Sequence, residues 1–155
     1  MSGPTPSSAE ALDREVRLHV FQQAAETAQV PQPNQIAAAL GQPQSAVEEA
    51  LRRLAANRLL VLAPGTVNVW IAPPFCAVPT DFRVKAEDRT YWAICIWDAL
   101  GIPAALHGDA TITARCGDCG VELDLEVREG RLVRGEGIVH FAMPALRWWE
   151  NIAFA

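Results

Sequence analysis

The stretch YWAICIWDALGIPAALHGDATITARC, residues 91–116, decides the fold of this chain. Residues 90–100 are rich in apolar and aromatic side chains and end at Gly101, a pattern that predicts a buried helix. Residues 110–115 alternate apolar and polar side chains, which predicts a strand. Further alternating segments follow, so this half of the chain is predicted to combine helix with a small sheet.

Two residues of the predicted helix, Cys95 and Asp98, carry chemistry. They are three positions apart, so a helix would place both side chains on one face. A thiolate is a nucleophile and a ligand for soft metals, and a nearby carboxyl can carry protons. The alternative is structural, because free cysteines are commonly buried and Asp98 could serve only the loop near Gly101. The spacing alone leaves both interpretations open.

A second cysteine motif, CGDCG at residues 116–120, directly follows the predicted strand. Half of a zinc ribbon has this pattern, but a structural zinc site needs four ligands and the chain has no second CxxC. Three interpretations of Cys116 and Cys119 therefore compete: a shared metal site, a dithiol that passes on a soft metal, and a turn without metal.

Tryptophan is dense in the second half of the chain, and its simplest role is core packing. The functional alternative is an aromatic-lined pocket for an apolar ligand. His140 lies in a predicted strand, residues 137–141, where a hydrogen-bonded core histidine is the simpler interpretation. The predicted lining of such a pocket is Trp92, Trp97, His140 and Trp148.

Composition and spacing change along the chain, which predicts three segments. Residues 1–8 are rich in Ser, Pro and Gly and are expected to be flexible. Residues 9–72 contain three segments at helical spacing and then two short β segments around a Pro-Gly turn. This order predicts a winged helix-turn-helix module, and residues 73–155 form the predicted core.

The winged-helix module is predicted to pack rather than to bind DNA. The chain before Pro73 holds five Arg and six acidic residues, so its charge is close to neutral. Glu48 and Glu49 lie near the start of the helix that would enter the major groove, where base contacts are usually made. Phosphates would repel these carboxylates, so no nucleic-acid partner is expected.

Composition excludes several other classes of protein. The 155 residues are 50% apolar and 20% charged, as in a folded domain rather than a disordered chain. A net charge of -5 disfavours a general binder of nucleic acids or anionic membranes. No run reaches about 18 apolar residues and the N-terminus lacks a signal-peptide pattern. We therefore expect no membrane association and a cytoplasmic location, where cysteines stay reduced.

The stretch at residues 91–116 resembles the organomercurial (alkylmercury) lyase family. The resemblance is carried by an aromatic-rich segment with Cys-x-x-Asp, a Pro-Ala-x-Leu turn and a strand that ends in Arg-Cys. It extends more loosely to the N-terminal module and to Val-His-Phe at residues 139–141. It implies an α+β fold in which a winged helix-turn-helix-like module packs on a small mixed β-sheet core with helices.

The resemblance also implies a reaction, the protonolytic cleavage of a carbon–mercury bond in a small-molecule substrate without a separate cofactor. Cys95 would match the thiolate that captures the organomercurial, and Asp98 the acid that relays a proton to the departing carbon. Cys116 would match a cysteine with a mainly structural role. Mercury is soft and thiolate is the softest protein ligand, so the residue chemistry agrees with this assignment.

The chain departs from the family where the second catalytic cysteine is expected. Residues 134–138 read RGEGI and contain no cysteine. Cys76 or Cys119 would have to supply the second thiol from elsewhere in the chain. Cysteines such as Cys116 and Cys119 could also bind a soft metal, either mercury or zinc.

Two alternatives from other functional classes stay open. The same fold could bind or transform a different small apolar or aromatic molecule, since a lost thiol beside a retained Cys-x-x-Asp is what such a change of function leaves behind. A metal-responsive winged-helix regulator that uses the CxxC motif is less favoured, because its recognition helix is acidic. The organomercurial lyase is the preferred interpretation.

Overall fold

Two units, the first ending at Pro73 and the second beginning at Pro74, make up the computed structural model, which describes residues 7–141, 143–150 and 152. The first unit contains α1 (Ser8–Thr27), α2 (Pro33–Leu40), α3 (Gln44–Ala56), β1 (Val61–Leu62) and β2 (Val69–Ala72). The second contains β3 (Phe75–Cys76), β4 (Phe82–Ala86), β5 (Arg89–Ala93), α4 (Ile96–Leu106), β6 (Ala110–Arg115), β7 (Glu122–Arg128), β8 (Arg131–Arg134) and a 3-10 helix (Ala145–Glu150). Among these described helices, none combines the length and the apolar character needed to cross a membrane.

Local sequence signals set the ends of the helices in the first unit. The Ser7 hydroxyl accepts the backbone N–H of Glu10, and the Glu10 carboxylate accepts the N–H of Ser7 at 2.7 Å. This reciprocal pair satisfies two N–H groups that the first turn of α1 would otherwise leave open. α2 begins with Pro33 and stops at Gly41, whose φ of 62° suits a residue without a side chain.

The helices of the first unit enclose an apolar core. Its fully buried side chains include Val16, Val20, Ile36, Val47 and Leu51. An ion pair links α3 to α1, with Arg53 Nη2 donating to Asp13 Oδ1 at 2.7 Å. β1 and β2 pair in an antiparallel hairpin. Three helices and a hairpin are the elements that the sequence predicts; their interpretation as a winged-helix module stays a prediction.

The sheet of the second unit has the strand order β3-β5-β4-β6-β7-β8. Each of these neighbouring pairs is antiparallel. The α+β class predicted from the sequence is confirmed, whereas the expected mixed character of this sheet is wrong. Short connections such as those between β4 and β5 and between β7 and β8 join antiparallel strands, because a parallel pair needs a long crossover.

Helix α4 covers one face of this sheet. Ala99, Ile102 and Pro103 are its buried residues, and α4 contacts β4, β5 and β6. Along β4 and β6 every second residue is buried, including Val84 and Ile112, which lie opposite each other in the register. The alternation expected of a half-buried strand therefore holds here, with one face under α4 and the other open.

The helix predicted at residues 90–100 is wrong in its placement. Arg89–Ala93 forms β5 instead, and α4 begins only at Ile96 and continues past Gly101 to Leu106. The β-branched and aromatic side chains at residues 90–92 favour a strand, and an apolar run of this length cannot be assigned by periodicity alone. Gly101 allows a close approach inside the helix, since a Cβ there would lie 3.3 Å from Pro74 Cβ.

The strand predicted at residues 137–141 is also wrong, because the structure places no regular element there. Gly135 and Gly137 adopt φ values of 111° and 145°, which turn the chain out of the ladder after β8. A Cβ at Gly135 would lie only 2.9 Å from Leu125 Cγ, so this position requires glycine. The terminal helix predicted over residues 144–151 is a shorter 3-10 helix, Ala145–Glu150.

The packing of α4 on the sheet predicts the cost of a cavity at Ile102, whose side chain is fully buried. We expect Ile102→Ala to lower the free energy of unfolding by about 2–5 kcal/mol. Leu132→Ala is the control, since Leu132 is 50% exposed on β8, and it should cost less than about 1 kcal/mol. Urea unfolding followed by far-UV circular dichroism measures both, and equal losses would contradict this account of the core.

Candidate functional site

Cys95 and Cys116 leave the sheet of the second unit at one edge. Ala93 of β5 pairs with Phe82 of β4, and Ala114 of β6 pairs with the same Phe82 from the other side. β5 and β6 therefore run in the same direction, and Cys95 and Cys116 each follow their alanine by two residues. Because adjacent strands lie about 4.8 Å apart, the two alanines are separated by about 10 Å.

Cys76 reaches the same edge on β3, where it pairs with Trp92 of β5. Thr80 fixes this end of the sheet, because its hydroxyl donates to the Ala93 carbonyl oxygen at 2.5 Å. The same hydroxyl accepts the N–H of Phe82 at 3.1 Å. The end of β5 is therefore fixed by its pairing with β3 and β4, and the chain continues from there to Cys95.

Cys95 occupies the N-cap of α4, not the helix interior that the sequence predicts. Its backbone is extended, with φ -149° and ψ 175°, and its carbonyl oxygen accepts the N–H of Ala99 at 2.9 Å. Asp98 is the third residue of the helix, and side chains at an N-cap and three positions later face each other across the first turn. The spacing of Cys95 and Asp98 thus brings them together through the helix start rather than along a helix face.

Burial and mutual charge set the proton affinities of this group. Burial raises the pKa of Asp98 to about 6. Burial also raises the pKa of Cys95, as does the Asp98 charge, while the N–H groups of Asp98 and Trp97 act in the opposite direction. The pKa of Cys76 is raised by burial, with a further contribution from Asp98. Asp98 therefore acts on two protonated thiols and can itself gain or lose a proton near neutral pH.

Cys116 and Cys119 form a closed turn at the end of β6. The N–H of Cys116 donates to the Val121 carbonyl oxygen, and the N–H of Gly120 donates to that of Cys116, both at 2.9 Å. Backbone N–H groups of Cys119 and Asp118, together with a hydrogen bond from the Cys119 side chain, lower the pKa of Cys116. Cys116 is half-buried and Cys119 is exposed, so this pair of thiols is open to solvent.

Metal ligands are sparse in the described part of the chain. No group of three or more His, Cys, Asp and Glu residues is placed to hold a metal ion there. All four cysteines are free rather than joined in disulfides. The described residues therefore give Cys116 and Cys119 no third ligand for a tetrahedral zinc site.

The residues predicted to line a pocket separate into different surroundings. Trp97 is 57% exposed and meets Phe141 edge to face, with ring centroids 6.0 Å apart. Phe141 in turn lies 5.0 Å from the Trp148 ring, whose Nε1 donates to the Met143 carbonyl oxygen at 3.0 Å. We call Trp97, Phe141 and Trp148 the aromatic cluster. Sequence reasoning missed Phe141, although the Val-His-Phe segment was its signal.

His140 and Trp92 do not join the aromatic cluster in the described contacts. His140 is exposed and lies outside any strand, so its predicted role as a core residue is wrong, while its role in lining a pocket stays a prediction. Trp92 is half-buried on β5, opposite Arg83 of β4. The sequence alone could not show which aromatic and histidine side chains lie together, because that depends on contacts between segments far apart in the chain.

A polar groove of about 230 Å³ lies on the sheet face opposite α4, and sequence reasoning missed it. Its lining residues are Arg83, Lys85, Thr90, Thr111 and Thr113. They occupy the outward positions of β4, β5 and β6, whose alternate residues are buried. The polar members of each alternating strand were the available signal.

Residues 75–155, more than half of the chain and including all four cysteines, match the family model of alkylmercury lyase. The chain belongs to the alkylmercury lyase family. This confirms the resemblance noted at residues 91–116. No match was found among curated proteins.

A solved structure supports the fold. The crystal structure of the mercury-bound form of MerB2 matches with a TM-score of 0.61 and 19% sequence identity. The match covers 80% of this chain and 66% of that one, so this chain spans just under two thirds of its length. The alkylmercury lyase-like fold predicted from the sequence is confirmed.

The half-buried carboxyl of Asp98 predicts how the stability of the protein changes with pH. Its pKa rises from 3.8 to about 6 on folding, so between these values the folded state holds more protons than the unfolded state. The free energy of unfolding should therefore fall as pH rises through this window. In the Asp98→Asn variant the free energy of unfolding should no longer fall over this pH range. Above pH 6 the variant should be more stable than the unsubstituted chain by about 2–3 kcal/mol.

Urea unfolding at a series of pH values between 4 and 7 measures this effect. Asp88→Asn is the control, because Asp88 is exposed in the turn between β4 and β5 and should leave the pH dependence unchanged. If Asp98→Asn and the unsubstituted chain lose stability equally with rising pH, the Asp98 carboxyl is not the group responsible.

Proposed function

We propose that this member of the alkylmercury lyase family cleaves the carbon–mercury bond of small organomercurials by protonolysis. Cys95 is the first thiol, Asp98 the proton relay and Cys76 the second thiol. The observation that carries the proposal is Asp98: a half-buried carboxyl with a pKa of about 6, beside Cys95 and acting on Cys76. One carboxyl that exchanges protons with two thiols is what a two-thiol protonolysis requires.

The first step joins the substrate to Cys95. The sulfur of Cys95 forms a bond to mercury, and the bond between mercury and its original ligand breaks. The thiol proton leaves with the displaced ligand. Because the N–H groups at the start of α4 face Cys95, they stabilise the negative sulfur while this exchange occurs.

The second step breaks the carbon–mercury bond. The Cys76 sulfur bonds to mercury, and its proton travels through Asp98 to the departing carbon. The products are the hydrocarbon and Hg(II) held by two sulfurs. Two thiol protons enter; one leaves on carbon and one with the original ligand, so no oxidant, reductant or separate cofactor is needed.

Cys76 is preferred to Cys119 as the second thiol for two reasons. Asp98 contributes to the raised pKa of Cys76 but is not among the groups that shift Cys116, the partner of Cys119. Cys76 also pairs with Trp92, three residues before Cys95, whereas Cys119 lies in the turn with Cys116 at the end of β6. In this assignment Cys76 takes the role of second thiol, which residues 134–138 cannot take because they contain no cysteine.

The other parts of the chain receive supporting roles in this proposal. Residues 73–155 hold the chemistry and residues 9–72 form a winged-helix module. Of the segment predicted to be flexible, residues 1–6 lie outside the described residues, whereas Ser7 caps α1 and Ser8 begins it. On α3 the carboxylate of Glu48 is paired with Arg52, so this helix does not present an unpaired basic face there. This fits a module without a nucleic-acid partner. Free thiols need a reducing compartment, so we assign the protein to the cytoplasm.

A second candidate function is the binding or transformation of a different small apolar or aromatic molecule. The aromatic cluster supports it, because Trp97 and Phe141 are exposed at 57% and 38% and offer ring faces to an apolar ligand. Turnover of an organomercurial separates the two candidates.

The test of the lyase is turnover of an arylmercurial in excess thiol, with arene and Hg(II) measured together. Cys95→Ser should abolish turnover, since serine oxygen is a hard ligand for mercury. Asp98→Asn should slow it by about 100- to 10,000-fold, the usual contribution of a positioned proton donor. Cys76→Ser should slow cleavage by at least about 100-fold.

Asp88→Asn is the matched control for Asp98→Asn, and circular dichroism checks that each variant is folded. Folded protein without turnover would contradict the lyase and favour the second candidate. Full turnover by Cys76→Ser would exclude Cys76 as the second thiol.

A further inference from the structure

The turn that holds Cys116 and Cys119 takes no part in the cleavage described above, yet it presents a second pair of thiols. Its backbone is closed by two hydrogen bonds of 2.9 Å, so the two cysteines are held in one tight loop. The Cys119 side chain is also among the groups that lower the pKa of Cys116, as expected for two thiols held in one turn. A fixed pair of adjacent thiols is a chelating site rather than two independent cysteines.

The number of ligands decides which metal suits this pair. Zinc needs four ligands, and the described residues supply no third one here. Hg(II) is soft and is satisfied by two sulfurs in a linear arrangement, so a dithiol alone completes its coordination. Cys119 is exposed, which gives an incoming ion direct access from solvent or from a neighbouring thiol.

The position of the turn relates it to the proposed lyase site. Cys95 and Cys116 follow Ala93 and Ala114 by the same number of residues, and both alanines pair with Phe82. The two thiol groups thus leave the same edge of the sheet, from strands about 10 Å apart. A cation released at one group would find the other as the next dithiol along that edge.

From these observations we propose that Cys116 and Cys119 form a two-thiolate site for Hg(II), which accepts the inorganic product of cleavage. The source of Hg(II) rests on the proposed function, whereas the binding itself does not. The site differs from a structural turn because both sulfurs become metal ligands.

Transfer to this site is a thiol exchange without change of oxidation state. Cys116 bonds to mercury as one of the first two sulfurs leaves, and Cys119 then replaces the other. Each incoming thiol gives up its proton and each departing sulfur takes one, so atoms and charges balance.

The experiment uses the full-length chain with mercuric chloride as the probe. In the Cys76→Ser/Cys95→Ser double variant, Cys116 and Cys119 are the remaining cysteines. After reduction, loading and gel filtration in excess monothiol, this variant should retain one equivalent of Hg(II). Thiolate-to-mercury charge-transfer absorption should appear at the same stoichiometry.

Adding Cys119→Ser to the double variant is the decisive control, because a single thiolate exchanges its mercury with the monothiol. We expect the loss of that one equivalent and of the absorption band. Retention unchanged by Cys119→Ser would overturn the proposal, as would failure of the folded double variant to retain Hg(II). Retention of zinc shared between two chains would overturn it in favour of a structural site.

The double variant lacks the proposed cleavage thiols, so this test is independent of turnover. If the unsubstituted chain did not cleave the organomercurial but the double variant retained Hg(II), the lyase would be rejected and the mercury site kept. The opposite pair of results would reject the mercury site alone.

Discussion

The pairing of β4 with strands on both of its sides is the constraint on which the site depends. Phe82 lies opposite Ala93 on one side and Ala114 on the other, which forces β5 and β6 to end together. The Thr80 hydroxyl joins β4 and β5 at this end, since it donates to the Ala93 carbonyl oxygen and accepts the N–H of Phe82. Without this register, Cys95 and Cys116 would follow β5 and β6 at different levels along the strands.

Burial of Asp98 follows from the same architecture. α4 starts immediately beyond β5 and lies over β4, β5 and β6, so its first turn is pressed against the sheet edge. A carboxyl placed there loses water and holds its proton up to a pKa of about 6. This desolvation lowers stability above the pKa of Asp98, at a position where the proposed reaction exchanges a proton near neutral pH.

Sequence reasoning recovered the features that local pattern determines. The strand at residues 110–115 and the turn at Cys116 and Cys119 rest on short spacings, and the structure contains both. The spacing of Cys95 and Asp98 also brings them together, although at the N-cap of α4 rather than along a helix face as predicted. It failed at residues 90–100, where aromatic and β-branched side chains suit either a strand or a buried helix. It could not give the common edge, since that depends on pairing between segments far apart in the chain.

The edge has a consequence for how such a protein can diverge. Its thiols stand on separate segments, after β5, on β3 and after β6, and the strand pairing that gathers them is made by backbone groups. A cysteine can therefore be lost from one segment and gained on another while the hydrogen-bonded ladder is preserved. Evolution can relocate soft-metal chemistry along this border one substitution at a time, with the scaffold left as it is.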